Sequence, residues 1–228
     1  ESLGFIPPNR VVELCERYGL GEQLGCWLFR RVAAEPRQLY SGLRYTGNLS
    51  INLNPAMLSM KLIGNVERLL LEPGIPAAAL CMEITEDNAA LEFGNINDVI
   101  EALHGLGITF ALDDFGTGHS SLEYVRELKV DRLKIDRCFV EGIEQDANKA
   151  KFLASIVAMA NQAFMKSVIE GVENESQWQQ VESFGDVLVQ GYYAHKPMSF
   201  NDYLALLLDA KTRWPAPDSA RAIAEVRV

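Results

Sequence analysis

The stretch ITFALDDFGTGHSSLEYVRELKVDRLKID, residues 108–136, determines the fold. It begins with a β-rich apolar run at 108–113 and ends with a second run at 131–136, and a helical pattern at 120–128 lies between them. Two short strands joined by one helix form a parallel pair, because the chain crosses back along the sheet before the second strand begins. The stretch therefore predicts one strand–helix–strand unit of a parallel sheet.

The same alternation of strands and helices continues on both sides of this stretch. Further β-rich runs predict strands at 48–53, 79–84, 166–170 and 186–190. Apolar residues at helical spacing predict further helices at 9–18, 22–34, 61–71, 96–106, 147–163, 174–184 and 200–212. Several strands are apolar on both faces, as in a parallel sheet covered by helices. This α/β pattern favours a (β/α) barrel, and a doubly wound sheet is the alternative that it leaves open.

Composition and charge restrict the class of ligand. The chain has 228 residues, of which 48% are apolar, and this is enough for a core without disulfides. A net charge of −10 argues against a protein that binds duplex nucleic acid, because such affinity comes largely from Lys and Arg. A small phosphorylated ligand stays compatible with an acidic protein if divalent cations lie between its phosphates and the carboxylates.

Polar side chains follow one another at the carboxyl ends of the predicted strands. They are Asn52, Glu83, Asp113 with Asp114, Lys134 with Asp136, Glu170 and Gln190. In a β/α barrel these strand ends open on one face, and that face holds the active site. A single Asp or Asn after a strand is more often a turn former or a helix cap. Carboxylates gathered on apolar strands repel one another unless something positive lies among them, so the whole set predicts bound metal.

The ligand chemistry of this set predicts Mg²⁺ or Mn²⁺. Carboxylates and one amide, without His or Cys, are oxygen ligands of the kind that these two ions prefer. The adjacent pair Asp113 and Asp114 can serve two ions if one carboxylate bridges them. Two such ions, about 3.5–4 Å apart, form the usual clamp for displacement at phosphorus. Lys134 would then hold the attacking water or a phosphate oxygen.

Six motifs resemble those of EAL domains, in the family's order and with nearly its spacing. They are SINLN (50–54), EITE (83–86), DDFGTGHSSL (113–122), KIDRCFV (134–140), IEGVE (169–173) and QGYYAHKP (190–197). The resemblance implies a TIM-like (β/α)8 barrel, with one antiparallel strand, that hydrolyses cyclic di-GMP to linear pGpG with two Mg²⁺ or Mn²⁺ ions. The alternatives are a degenerate EAL domain that binds cyclic di-GMP without hydrolysing it, and an unrelated metal-dependent barrel hydrolase, which would need His ligands.

The resemblance also implies a role for individual residues. Metal ligation is implied for Asn52, Glu83, Asp113, Asp114 and Glu170. Lys134 is implied to hold the nucleophilic water, and Glu170 is also implied to act as the base. Residues implied to support the loop or the substrate are Glu86, Gly116, Thr117, Asp136, Glu173 and Gln190.

The first residues depart from the family pattern. The family is named for a Glu-x-Leu near the end of its first barrel strand, and residues 4–20 resemble the segment that follows this signature. We therefore expect Glu1 to lie in the intervening loop and the signature strand to be truncated. We expect an EAL-type domain at 1–213 and a tail or linker at 214–228.

The resemblance and the composition also imply the setting of the domain. EAL domains commonly follow GGDEF or sensory modules and pair as homodimers, so both are implied partners here. The sequence contains no signal peptide and no apolar run long enough to cross a bilayer. We therefore expect a cytoplasmic domain, and whether the whole protein is membrane-anchored stays open.

Overall fold

The computed structural model describes residues 6–34, 39–40, 47–53, 57, 60–71, 75–85, 93–117, 122–213 and 221–222. The helices are α1 Pro8–Arg17, α2 Gly21–Ala34, α3 Met60–Leu71, α4 Phe93–His104, α5 Leu122–Glu127, α6 Ala147–Gln162, α7 Glu175–Glu182 and α8 Phe200–Arg213. The strands are β1 Leu49–Asn52, β2 Leu80–Thr85, β3 Thr109–Phe115, β4 Arg132–Ile135, β5 Lys166–Glu170, β6 Leu188–Gln190 and β7 Arg221–Ala222. Short 3₁₀ turns occupy Ala77–Ala79 and Arg137–Phe139.

These strands form one parallel sheet whose order follows the chain from β1 to β7. Each strand pairs with the next in parallel, and the sheet curls into a half-barrel. The predicted alternation of strands and helices is therefore confirmed. The antiparallel strand that the resemblance implies does not occur among the strands of the described residues.

The central strands are buried on both faces, as their composition predicts. Residues 80–84 of β2 are all buried, and Met82 and Ile84 belong to the hydrophobic core. The alternate residues Cys81 and Glu83 point to the other face, because successive side chains of a strand point in opposite directions. Burial raises the pKa of the Cys81 thiol to about 11, so this side chain stays neutral one layer below Glu83.

Two details of the structure go beyond the predicted elements. In the predicted tail, Arg221 and Ala222 pair in parallel with Leu188 and Val189 of β6. The other residues of 214–228 lie outside the described part, so the assignment of this segment to a tail or linker stays a prediction. The second detail is a 3₁₀ turn at Arg137–Phe139, directly after β4.

Phe164, in the turn between α6 and β5, combines two unfavourable features. Its φ is 61°, in the left-handed region, which costs a residue with a Cβ atom about 1–2 kcal/mol. Its side chain lies in solvent, and the residue is 97% exposed. Phe164→Gly should therefore raise the free energy of unfolding, measured in urea, by about 0.5–1 kcal/mol, because the freedom of glycine in the unfolded chain offsets part of the gain. Phe164→Ala keeps the Cβ atom and is the control, and an equal gain there would contradict the explanation.

Candidate active site

Strand register places the first three predicted metal ligands on one face of the sheet. Asn52, at the end of β1, pairs with Glu83 of β2. Glu83 pairs in turn with Ala111 of β3, and Asp113 follows two residues later. Since residues two apart on a strand share a face, Asn52, Glu83 and Asp113 lie on the same side of neighbouring strands. Glu83 and Asp113 are buried, whereas Asn52 is exposed.

The next strands extend this face in the same way. Lys134 of β4 pairs with Val168 of β5, and Glu170 follows Val168 by two residues. Glu170 then pairs with Gln190 at the end of β6. Lys134 is buried, and both Glu170 and Gln190 are half-buried. The sheet therefore carries polar side chains on one face from β1 to β6.

The ammonium group of Lys134 contacts carboxylates from strands on both sides of β4. Its Nζ lies 2.8 Å from Glu83 Oε2, 2.8 Å from Asp113 Oδ1 and 2.9 Å from Glu170 Oε1. Lys134 itself is 1% exposed. Lys134 donates a hydrogen bond to Glu83 Oε2, and its contacts with Asp113 and Glu170 are ion pairs. A buried charge is strongly unfavourable unless it is paired, so these contacts account for a lysine in the core.

A β-bulge turns two successive aspartates towards the same site. In a regular strand Asp113 and Asp114 would point to opposite faces. The register of β3 against β4 shifts between Leu112 and Phe115, and Asp114 has a φ of 57°, in the left-handed region. The backbone N–H of Asp114 also donates to Asp113 Oδ1 at 3.0 Å. Strain at a non-glycine residue is common in functional sites, and here it brings the second carboxylate to the first.

Three carboxylates are close enough together to hold a cation. One oxygen of Asp113, one of Asp114 and one of Glu170 all lie within 4.8 Å of one another. With Glu83, the site has four carboxylates against the one ammonium group of Lys134, which leaves a formal charge of −3. The donor atoms are all oxygens, so this group fits Mg²⁺ or Mn²⁺. Glu83 lies outside the group of three and contacts Lys134 instead.

Gly116 and Thr117, the two described residues directly after β3, make contacts that sequence reasoning did not identify. Gly116 has a φ of 100°, and a Cβ atom built on it would lie 2.1 Å from the ring of Phe139. Thr117 donates its backbone N–H and its hydroxyl to the carbonyl oxygen of Asp114. Asp136 accepts a hydrogen bond from the backbone N–H of Cys138 at 2.9 Å, which caps the turn that carries Phe139. Asp136 therefore fixes the turn that carries Phe139, and its predicted support of the site stays a prediction.

The remaining predicted residues are distributed around the rim. Glu173 is exposed, and its backbone N–H donates to Gln177 Oε1 at 2.8 Å. Gln190 ends β6 beside Glu170. Glu86 lies outside the described residues, so its predicted support of the loop stays a prediction.

Gly191 allows the ends of β5 and β6 to approach each other closely. A Cβ atom there would lie 2.2 Å from the carbonyl oxygen of Val172, a backbone atom that cannot rotate away. Gly191→Ala should therefore lower the free energy of unfolding by about 1–3 kcal/mol, measured in urea. Gly64 in α3 is the matched control, because a Cβ atom there would have nothing within 4 Å. Gly64→Ala should raise stability by up to about 1 kcal/mol, and the same loss in both variants would contradict the explanation.

Comparison with known families agrees with this geometry. Residues 1–197 match the profile of the EAL domain. The chain belongs to the EAL domain family. The motifs that the sequence shares with EAL domains, from 50–54 to 190–197, all lie within the matched range.

The chain is similar in sequence to two proteins of Pseudomonas aeruginosa. The chain is 33% identical over 196 residues to the cyclic di-GMP phosphodiesterase NbdA, a match that covers 86% of this chain and 25% of NbdA. It is 32% identical over 203 residues to the cyclic di-GMP phosphodiesterase RocR, which covers 89% of this chain and 52% of RocR. The chain therefore spans between a quarter and about half of the length of these relatives.

Solved structures have a similar fold. A cyclic di-GMP complex of the MucR phosphodiesterase of Pseudomonas aeruginosa matches with a TM-score of 0.78 and 30% identity, covering 89% of this chain and 82% of that one. A complex of BlrP1 from Klebsiella pneumoniae with calcium and cyclic di-GMP matches with a TM-score of 0.66 and 29% identity, covering 78% of this chain and 44% of that one. The fold is that of the TIM-like EAL barrel.

Proposed function

We propose that this EAL domain hydrolyses cyclic di-GMP to linear pGpG with the help of two Mg²⁺ or Mn²⁺ ions. The observation that carries the proposal is the excess of negative charge in the site, four carboxylates against one ammonium group. Carboxylates at such short separations repel one another, and divalent cations offset that repulsion. The same cations attract the phosphates of an anionic substrate.

Different sets of side chains would bind the two ions. Asp113, Asp114 and Glu170 would hold one ion, because their oxygens already lie together. Glu83 and Asn52, neighbours on β2 and β1, would complete the ligands of the other ion with Asp113. Bound divalent ions lower the pKa of water and offset charge on the phosphoryl oxygens.

Two side chains have roles at the reacting phosphate. Glu170 accepts the proton of the attacking water, since its carboxylate stands at the end of β5 beside both Lys134 and the acidic group. Lys134 donates an N–H hydrogen bond to the water or to a phosphate oxygen from its buried position on β4. Gln190 and the exposed Glu173 lie on the rim, where the nucleotide would enter.

The substrate and the setting are inferred from relatives. NbdA and RocR are named as cyclic di-GMP phosphodiesterases, and the MucR structure contains cyclic di-GMP. MucR is named as a bifunctional diguanylate cyclase and phosphodiesterase, and this chain matches only 30% of it. We infer that this domain also belongs to a larger cytoplasmic signalling protein with a GGDEF or sensory module, and that it pairs as a homodimer. None of the helices in the described residues is long and apolar enough to span a membrane.

A turnover experiment tests the proposal. Full-length protein is incubated with cyclic di-GMP and Mg²⁺ or Mn²⁺, and the products are separated by chromatography. We expect conversion to pGpG that stops when EDTA is added and resumes with excess Mn²⁺. Binding of cyclic di-GMP without turnover, at any tested concentration of either metal, would refute hydrolysis and favour the receptor function.

A further inference from the structure

We propose that Lys134 is an internal counter-cation, which competes with the metal for the carboxylates of the site and so lowers its metal affinity. The proposal rests on the metal site of the proposed function and adds a regulatory property to it. The physical basis is that the buried Lys134 and the divalent ions bind the same carboxylates.

The contacts of Lys134 overlap with the candidate metal ligands. Of its three carboxylate partners, Asp113 and Glu170 also belong to the group whose oxygens lie within 4.8 Å of one another. Mg²⁺ binds carboxylate oxygens at about 2.0–2.1 Å, so an ion on these residues would lie within a few ångströms of the ammonium group. Two positive charges at that distance repel each other, and burial strengthens the repulsion.

The buried position of Lys134 prevents its ammonium group from moving away from the site into solvent. A lysine on a surface would swing its ammonium group into water, but Lys134 is 1% exposed and lies on the central strand β4. Its Nζ therefore stays near the metal ligands when an ion binds. Carboxylate oxygens that turn towards the ion release N–H donors of Lys134, and these donors become available to water or to a phosphate. The competition thus also prepares Lys134 for its proposed role in the reaction.

The same contacts give Lys134 a second effect, on stability. Its ammonium group offsets part of the repulsion among Glu83, Asp113 and Glu170. If Lys134 is replaced by a neutral side chain, bound metal or protonation of a carboxylate must offset that repulsion. The stability of such a variant should depend strongly on divalent ions, whereas that of the wild type should depend on them weakly.

Isothermal titration with Mn²⁺ tests the competition without reference to catalysis. Lys134→Met keeps a long unbranched side chain and removes the charge, so we expect its Kd for Mn²⁺ to fall about tenfold or more below that of the wild type. Lys166→Met is the matched control. This substitution also removes one lysine from the sheet. Lys166 begins β5, at the end of the strand opposite to Glu170, and pairs with Asp186. We expect this control to keep the wild-type Kd. A Kd for Lys134→Met that is equal to or weaker than the wild-type value would overturn the proposal, as would absence of Mn²⁺ binding in both proteins.

A second measurement covers the case in which Lys134→Met does not fold in chelator. Circular dichroism is then followed during Mn²⁺ addition, and we expect native signal to return. After correction of the midpoint for the free energy that folding costs, the Kd of the folded variant should lie about tenfold or more below the wild-type Kd. A variant that stays unfolded at saturating Mn²⁺ would overturn the proposal. Turnover separates the two claims: if wild-type protein binds Mn²⁺ and Lys134→Met binds it more tightly, but cyclic di-GMP is not hydrolysed, the proposed function fails and the competition stands.

Discussion

Asp113→Asn should lower kcat/KM for cyclic di-GMP by about a thousandfold, equivalent to about 4 kcal/mol of transition-state stabilisation. Asp113 belongs both to the ion pairs of Lys134 and to the candidate metal site. Its carboxylate contacts Lys134 at 2.8 Å and also belongs to the acidic group with Asp114 and Glu170. Asparagine has nearly the same shape, so the loss would come from charge rather than from packing. Steady-state kinetics with saturating Mn²⁺ measure the effect.

Asp186→Asn provides the control for this substitution. Asp186 is also an aspartate of the sheet region, but it is 88% exposed and pairs with Lys166 at the far end of β5. We expect its kcat/KM to stay within about twofold of the wild type, because exposed ion pairs contribute little. If Asp113→Asn retained nearly full activity, the bridging role of Asp113 would be wrong.

Glu170→Gln should lower kcat by a factor of about 10²–10⁴, the range expected for the loss of a general base. It should also weaken Mn²⁺ binding, because an oxygen of Glu170 lies with those of Asp113 and Asp114. If Glu170 served only as a base, the variant would lose turnover and keep its affinity for Mn²⁺. Measuring kcat and the Kd for Mn²⁺ on the same preparation therefore tests both roles.

Glu141→Gln is the control for Glu170→Gln. Glu141 follows the 3₁₀ turn after β4 and is 70% exposed, at 4.0 Å from Arg137. It should keep both the wild-type kcat and the wild-type Kd for Mn²⁺. Glu170→Gln with normal turnover would contradict the assignment of the base, and Glu170→Gln with a normal Kd would contradict its role as a ligand.

The sequence predicted the strand ends well because two independent signals coincide there. β5 occupies Lys166–Glu170, the range that its β-rich pattern indicates, and a carboxylate stands at its last position. Parallel strands bring such ends together whatever the details of packing. The prediction that Asp113 and Glu170 lie near each other needed only the fold and the order of the strands.

The sequence placed Lys134 in the predicted site, holding water or a phosphate oxygen, but did not reveal that it pairs with the carboxylates. Crowded acids indicated that a positive group lies among them, and metal was the expected answer. The structure places Lys134 among Glu83, Asp113 and Glu170. A single sequence does not show which oxygens the ammonium group of Lys134 contacts, because that depends on the register of β4 against its neighbours.

Local backbone geometry was also beyond sequence reasoning. The adjacent pair Asp113 and Asp114 suggested shared metal ligation, but successive strand residues normally face opposite ways. The bulge between Leu112 and Phe115 and the left-handed φ of Asp114 resolve this conflict. The position of a bulge depends on hydrogen bonds to the neighbouring strand, which a single sequence does not show.

Anomalous diffraction from a crystal soaked in Mn²⁺ tests the central claim most directly, because it locates the ion itself. We predict an anomalous peak bonded to oxygens of Asp113, Asp114 and Glu170, at the carboxyl end of the sheet. A crystal with Mn²⁺ bound only elsewhere, or with no peak among these carboxylates at saturating Mn²⁺, would contradict it.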